Sequence, residues 1–367
     1  MTDVSLRLDA ARNAAGAADI DALLVTPGAD LRYLTGFAAM PLERLTCLVL
    51  PTDGEAVLVL PRLELQMAVE AGVEDHGIRL VGWDETDDPY AAATAAIGGA
   101  RRVALDDHMW ADRVFAFGAA MPDADQVLAG EVLRELRMRK TEGEIAALRD
   151  AGAAIDRVHD RMGEWLRPGR TEREVGRDIA DAILAEGHET VDFVIVGSGP
   201  NGASPHAEVS DRRIGPGEPV VVDIGGTMPS GYCSDSTRTY VAGGTVPEDF
   251  AAYYEVLLSA QKAQCEYARP GVTAESVDAV GRDIIAAAGY GEAFLHRTGH
   301  GIGLETHEEP YIVSGNGLVL EPGMAFSIEP GIYLEGRHGA RIEDIVVTTD
   351  AGVERLNRTS RDLVVLG

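Results

Sequence analysis

Two stretches of this chain repeat one another, and the repeat limits what the chain can fold into more than any single motif does. Arg167-Pro168-Gly169-Arg170-Thr171 recurs 102 residues later as Arg269-Pro270-Gly271-Val272-Thr273, and Arg177-Asp178-Ile179 recurs as Arg282-Asp283-Ile284 at an offset of 105. Pro216-Gly217 ahead of Asp223-Ile224-Gly225 is matched by Pro322-Gly323 ahead of Glu329-Pro330-Gly331, both at 106. Self-similarity at a near-constant offset marks a duplicated unit, here a helix followed by a strand. Asp223 then faces its counterpart Glu329, and Asp235 and Glu343 follow at an offset of 108. Pro-Gly turns before strands are common, so chance stands as the alternative for the repeat taken alone.

The duplicated unit carries five side chains of one chemical type. Asp223, Asp235, His300, Glu329 and Glu343 span 121 positions, each in a strand-like context. Four carboxylates and one imidazole are more negative charge than a buried site holds unpaired, because isolated buried carboxylates protonate instead. Two divalent cations resolve the conflict. Hard oxygen donors with one imidazole suit manganese, cobalt, zinc or iron, and a two-metal site activates water. The run Gly299-His300-Gly301-Ile302-Gly303 is read as close backbone approach around a ligand, not as a dinucleotide signature.

Composition narrows the partners. A formal net charge of −28 argues against nucleic acid and anionic membranes, both of which repel such a surface. The start of the chain lacks a basic-then-apolar signal, and no apolar run approaches spanning length, so a cytoplasmic enzyme is expected. Cys47, Cys233 and Cys265 are dispersed, without zinc spacing, and read as buried thiols. Lys140 and Lys262 are the only lysines, which makes lysine-based catalysis unattractive.

The first part of the chain alternates short β-branched runs at 22–26, 46–50, 56–60, 78–82 and 102–105 with helical periodicity at 62–71 and 111–119. This predicts an α/β domain over residues 1–132 and a second domain over 133–367. Thr141-Glu142-Gly143-Glu144 and Thr171-Glu172-Arg173-Glu174 are capping boxes, each opening a long helix. Strands follow at 192–196, 220–224, 324–328 and 342–348. Helices outside and a curved antiparallel sheet inside are expected.

At Ser234-Asp235-Ser236-Thr237-Arg238-Thr239, at the run from His296 through His300 to His307 and Pro310, and at the Glu329 and Glu343 segments, the chain resembles the M24 metallopeptidases of the pita-bread fold. That group contains methionine aminopeptidase, aminopeptidase P, prolidase and the metal-free creatinase. The resemblance covers residues from about 140 to the C-terminus, with one extra residue in the turn at 227–231. A weaker match at Asp30-Leu31-Arg32-Tyr33, running to Phe37, resembles the N-terminal domain of prolidases and creatinases. The fold so implied is α+β, a C-terminal pita-bread domain behind an N-terminal creatinase-like α/β domain.

The resemblance also implies roles. Asp223 would bind one metal through both oxygens, Asp235 and Glu343 would bridge, and His300 and Glu329 would complete the second ion, manganese first, with cobalt or zinc as alternatives. Glu329 would shuttle the proton of the activated water to the leaving nitrogen. His206, in a Gly/Pro-rich loop where packing does not need an imidazole, would steady the tetrahedral intermediate. His307 would bond the scissile carbonyl or the substrate carboxylate, and His296 would orient its loop. Arg341 is a candidate partner of Asp223, against the alternative of a surface salt bridge, and Thr237 a candidate partner of Asp235. His76, His108, His159, His188 and His338 are read as structural or surface residues. The activity implied is hydrolysis of the Xaa-Pro bond, with the dipeptide first and the longer peptides of aminopeptidase P second. A creatinase-like hydrolase or lyase on a non-peptide substrate is the third reading. The family's pairing further implies a homodimer, with residues 33–37 near the partner's pocket.

Overall fold

The computed structural model describes residues 4–367, which divide into two compact units that separate between Arg137 and Met138. The boundary expected at 132/133 falls within the helix Gly130–Met138.

The first unit contains the helices α1 (Val4–Ala17), α2 (Ala29–Thr35), α3 (Leu65–Glu70), α4 (Pro89–Ala95), α5 (Ala111–Ala120) and α6 (Gly130–Met138). Its strands are β1 (Ala22–Val25), β2 (Cys47–Pro51), β3 (Ala56–Pro61), β4 (Ile78–Trp83), β5 (Arg102–Leu105) and β6 (Asp125–Leu128). They form one sheet in the order β4-β3-β2-β1-β5-β6. The three central apolar runs, Ala-Leu-Leu-Val, Cys-Leu-Val-Leu-Pro and Ala-Val-Leu-Val-Leu-Pro, are buried on both faces, as uninterrupted hydrophobicity requires. Strand β6, Asp-Gln-Val-Leu, is absent from the sequence expectation. It has no apolar run because it lies at the sheet edge, half in solvent, and takes its extended form from parallel pairing with β5.

The second unit carries four long helices, α7 (Glu142–Asp160), α8 (Glu172–Ala185), α9 (Glu248–Tyr267) and α10 (Ala274–Ala287). Both capping boxes form: Thr141 and Thr171 accept from the amides of Glu144 and Glu174, whose carboxylates return the bond. The strands are β7 (Thr190–Ser198), β8 (Glu218–Thr227), β9 (Cys233–Ala242), β10 (Gly299–Gly301), β11 (Glu308–Ile312), β12 (Ala325–Ile328), β13 (Gly331–Leu334), β14 (His338–Arg341), β15 (Asp344–Thr349), β16 (Gly352–Arg355) and β17 (Val364–Leu366). The expected single sheet is divided. Its ladders run β17-β9-β8-β7 and β11-β10-β12-β15-β16, with the hairpin β13-β14 apart, and β17 joins β9 in parallel. One apolar layer places Ile155 and Val158 of α7 and Ile179 and Ile183 of α8 against Val222 and Ile224 of β8. Another sets Val277 of α10 against Phe326 and Ile328 of β12.

The sequence repeat is structural. Gly169 N donates to Ile214 O at 2.8 Å, and its equivalent Gly271 N to Leu320 O at 2.9 Å. The returns, Ile214 N to Arg170 O and Leu320 N to Val272 O, are both 2.9 Å. Gly169 and Gly271 have φ of 89° and 91°, a conformation that disfavours any side chain. Each half therefore leads its helix into the sheet through the same turn.

Candidate metal centre and active site

Strand register explains how residues far apart in sequence converge. In the β8–β9 ladder Asp223 lies opposite Thr237 and Gly225 opposite Asp235, so Asp223, Asp235 and Thr237 share one face. Gly225 is required there, since a Cβ would stand 2.5 Å from both the Phe193 ring and Ser234 O. In the other sheet Ile328 pairs with Asp344, so the next pair outward brings Glu329 level with Glu343. His300 lies in β10 between two glycines whose absent side chains admit neighbouring backbone: Cβ atoms would meet Ser327 O at 1.9 Å from Gly299 and Glu309 O at 2.2 Å from Gly301. The close approach expected of this glycine run is present.

All eight candidate residues line one cavity of about 640 Å³: Asp223, Asp235, His300, Glu329, Glu343, His206, His307 and Arg341. Phe193, Ile195, Pro205, His296 and Arg297 complete its wall. Asp235, His300 and Glu343, all buried, present ligand atoms within 4.8 Å of one another, a spacing that a single cation can bridge. His300 Nδ1 lies 3.1 Å from Gly301 O, which leaves Nε2 as the ring nitrogen facing inward. That nitrogen lies 3.1 Å from Glu329 Oε1 and 3.6 Å from Asp235 Oδ2.

The electrostatics fit a cation. Burial, and then the charges of Glu343, Asp223 and Glu329, hold the Asp235 carboxyl well above the usual range. Burial followed by Glu329 and Asp223 does the same to Glu343. Asp223 Oδ1 and Glu343 Oε1 are buried and make no hydrogen bond to any described residue. Buried acceptor oxygens left without protein donors are what divalent cations with carboxylate ligands satisfy. Glu329 behaves differently. Burial alone would raise it, but the hydrogen bond from His300 and the charges of His300, His296 and Arg341 prevail and lower it to about 2.

Arg341 is no surface residue. Its side chain is 3% exposed, and Nη2 meets Asp223 Oδ2 at 2.5 Å, which decides between the two readings of this residue. Nη1 donates to Tyr333 Oη at 2.8 Å and to Pro205 O at 3.2 Å, tying the His206 loop to the cavity floor. Thr237 departs from expectation: its hydroxyl bonds Glu343 Oε2 at 2.7 Å rather than Asp235, and accepts from Arg341 Nε at 3.1 Å. His206 and His307 are exposed at the rim, the His307 ring 4.1 Å from that of His300. Partial burial, then His300 and Arg297, lower the His307 pKa to about 4, so the imidazole is neutral. His296 bonds Arg297 O at 2.7 Å and Tyr333 Oη at 2.8 Å. Arg297, Phe193 and Ile195 of the wall escape sequence reasoning, as does Tyr333, whose hydroxyl braces the wall residues His296 and Arg341. A tyrosine two residues past the Glu329-Pro330-Gly331 turn was the only available signal. Of the remaining histidines, His159 is buried behind β9, its Nδ1 2.9 Å from Tyr240 Oη, and His188 bonds Ser234 Oγ at 2.7 Å. Neither lines the cavity.

Residues 146–350 match the profile of metallopeptidase family M24, and residues 7–139 that of the creatinase/prolidase N-terminal domain. The chain is 55% identical over 361 residues to a probable dipeptidase PepE of Mycobacterium tuberculosis, covering 98% of this chain and 96% of the relative. It is 39% identical to an Xaa-Pro dipeptidase of Lactobacillus delbrueckii subsp. lactis, covering 98% and 99%. The recombinant prolidase structure from Thermococcus sibiricus superposes with a TM-score of 0.93 at 38% identity, each chain covered completely (100%).

Proposed function

This chain belongs to metallopeptidase family M24, and from that premise we propose that it is a dinuclear Xaa-Pro dipeptidase. The observation that carries the proposal is the cavity itself. Carboxylates that bury together, two of them with oxygens lacking donors, surround a histidine whose Nε2 points at them. Asp223, Asp235, His300, Glu329 and Glu343 would hold the two ions, with manganese preferred. Bound there, divalent cations lower the pKa of water and polarise a carbonyl oxygen.

The remaining chemistry belongs to the protein. The bond to proline is a tertiary amide, with no N–H, and its leaving group is a secondary amine that needs a proton. Glu329, ionised, accepts the proton of the attacking water and returns it to that nitrogen; Ser327 Oγ, 3.0 Å from its Oε1, holds the carboxylate in place. His206 and His307 at the rim donate to the carbonyl oxygen as it gains charge. Phe193 and Ile195 offer apolar contact to the substrate, and Arg341 holds the Asp223 carboxylate in place. A homodimer is part of the same reading.

Chelator-stripped enzyme assayed with Ala-Pro and with Ala-Pro-Ala, each with and without added manganese, cobalt or zinc, tests it. Metal-dependent cleavage confined to Ala-Pro is the expected result. Preference for the tripeptide would move the assignment to aminopeptidase P. Failure to cleave either with any metal would point to a non-peptide substrate.

A further inference from the structure

The two carboxylates closest to a shared ion come from different sheets. Asp235 is on β9 and Glu343 immediately precedes β15, and no ladder among the described strands joins β9 to β15. Two bonds cross the gap at the level of the ligands: Glu343 N to Thr237 O at 3.1 Å, and Thr237 Oγ1 to Glu343 Oε2 at 2.7 Å. The spacing of the two carboxyls therefore depends on what else spans the gap.

Behind β9, on the face away from the cavity, Arg238 spans the same gap. It is 2% exposed and spends all five guanidinium N–H groups. Nε donates to Ser360 O at 3.0 Å. Nη1 donates to Thr237 O at 2.9 Å and, in a shorter contact, to the carbonyl of Glu343 itself. Nη2 donates to Asp344 Oδ1 at 2.7 Å and to Thr359 O at 2.8 Å. Asp344, fully buried and next in sequence to Glu343, has its second oxygen held by Arg355 Nε at 2.8 Å and Gln261 Nε2 at 3.0 Å.

We propose that Arg238, locked on Asp344, is a positioning residue that sets the separation of Asp235 and Glu343 for metal binding. This rests on the reading of the cavity as a metal centre. A buried ion pair is a poor device for stability, because desolvation consumes most of the attraction. Geometry is where it excels: a planar fork contacting both strands and the C-terminal segment fixes spacing to a tolerance of about 0.5 Å that apolar packing does not guarantee. Lysine offers three donors and no fork, so it cannot reproduce the set.

The test is manganese affinity of the chelator-stripped full-length protein by calorimetry, alongside its thermal midpoint without metal, for Arg238→Gln, Arg238→Lys, Asp344→Asn and Arg355→Ala. Arg355 bonds the outer oxygen of Asp344 and the carbonyl of Asn357 but neither Thr237 nor Glu343, and serves as control. Expected is a loss of affinity of about 10- to 100-fold for Arg238→Gln, an intermediate loss for Arg238→Lys, and wild-type affinity for Arg355→Ala even where its midpoint falls. Wild-type affinity in Arg238→Gln, or an equal loss in Arg355→Ala, would overturn the proposal by reducing the network to general stabilisation. If Arg238→Gln does not fold, Asp344→Asn decides: weakened binding in a folded protein supports positioning, and unchanged binding ends it. Wild-type protein that takes up no manganese would instead sink the metal-centre reading beneath it.

Discussion

His300→Ala is expected to lose Ala-Pro hydrolysis by about a thousandfold or more at saturating manganese, the rate equivalent of several kcal/mol of lost Lewis-acid stabilisation. The loss follows from geometry. His300 is the one nitrogen donor in the ligand set, and its Nδ1 is committed to Gly301 O, so Nε2 is the only atom it offers. Removing it leaves Asp235, Glu329 and Glu343 facing one another without a neutral donor. The glycines on either side prevent compensation by backbone movement, since both are packed against neighbouring carbonyls. Manganese content per chain is expected to fall with activity. A variant that retains near-wild-type turnover would exclude His300 as a ligand.

His206→Ala is expected to separate catalysis from metal binding. The imidazole is exposed at the cavity rim on a loop whose Pro205 carbonyl is fastened to Arg341, so its removal leaves the carboxylates and their partners untouched. Manganese binding should stay at the wild-type level while kcat falls about 100- to 1,000-fold, the loss typical of removing one donor to a developing oxyanion. KM should change far less. A fall in metal content together with rate would place His206 in the metal centre; unchanged kcat would remove it from the chemistry.

Much of this arrangement is legible in the sequence because its chemistry is local. Asp223, Asp235, His300 and Glu329 each sit in a short segment whose glycine, proline or serine neighbours announce them, Glu343 follows Asp235 at the repeat's offset, and the two Pro-Gly turns at matched offsets announce the duplicated frame. The capping boxes are similarly self-contained, since Thr141 and Glu144 satisfy each other within one turn of helix. What escapes the sequence depends on register between strands. Thr237 was paired in expectation with Asp235, two residues away, but it bonds Glu343 from across the gap between sheets. Tyr333 braces the cavity wall because β13 folds back along β14, which brings its hydroxyl onto Arg341 and His296. Division of the inner sheet is invisible for the same reason: nothing in the apolar pattern says which strands share a ladder. Arg238 looks like one more polar residue in a strand until Asp344 is seen to pair with it over a separation of 106 residues.

The central claim is that these five side chains hold two divalent cations, and counting them tests it most directly. Chelator-stripped protein titrated with manganese in a calorimeter should bind two ions per chain, and Asp235→Asn, at the residue proposed to bridge them, should weaken both events together. Binding of no ion, or of one ion that Asp235→Asn leaves unchanged, would contradict the account.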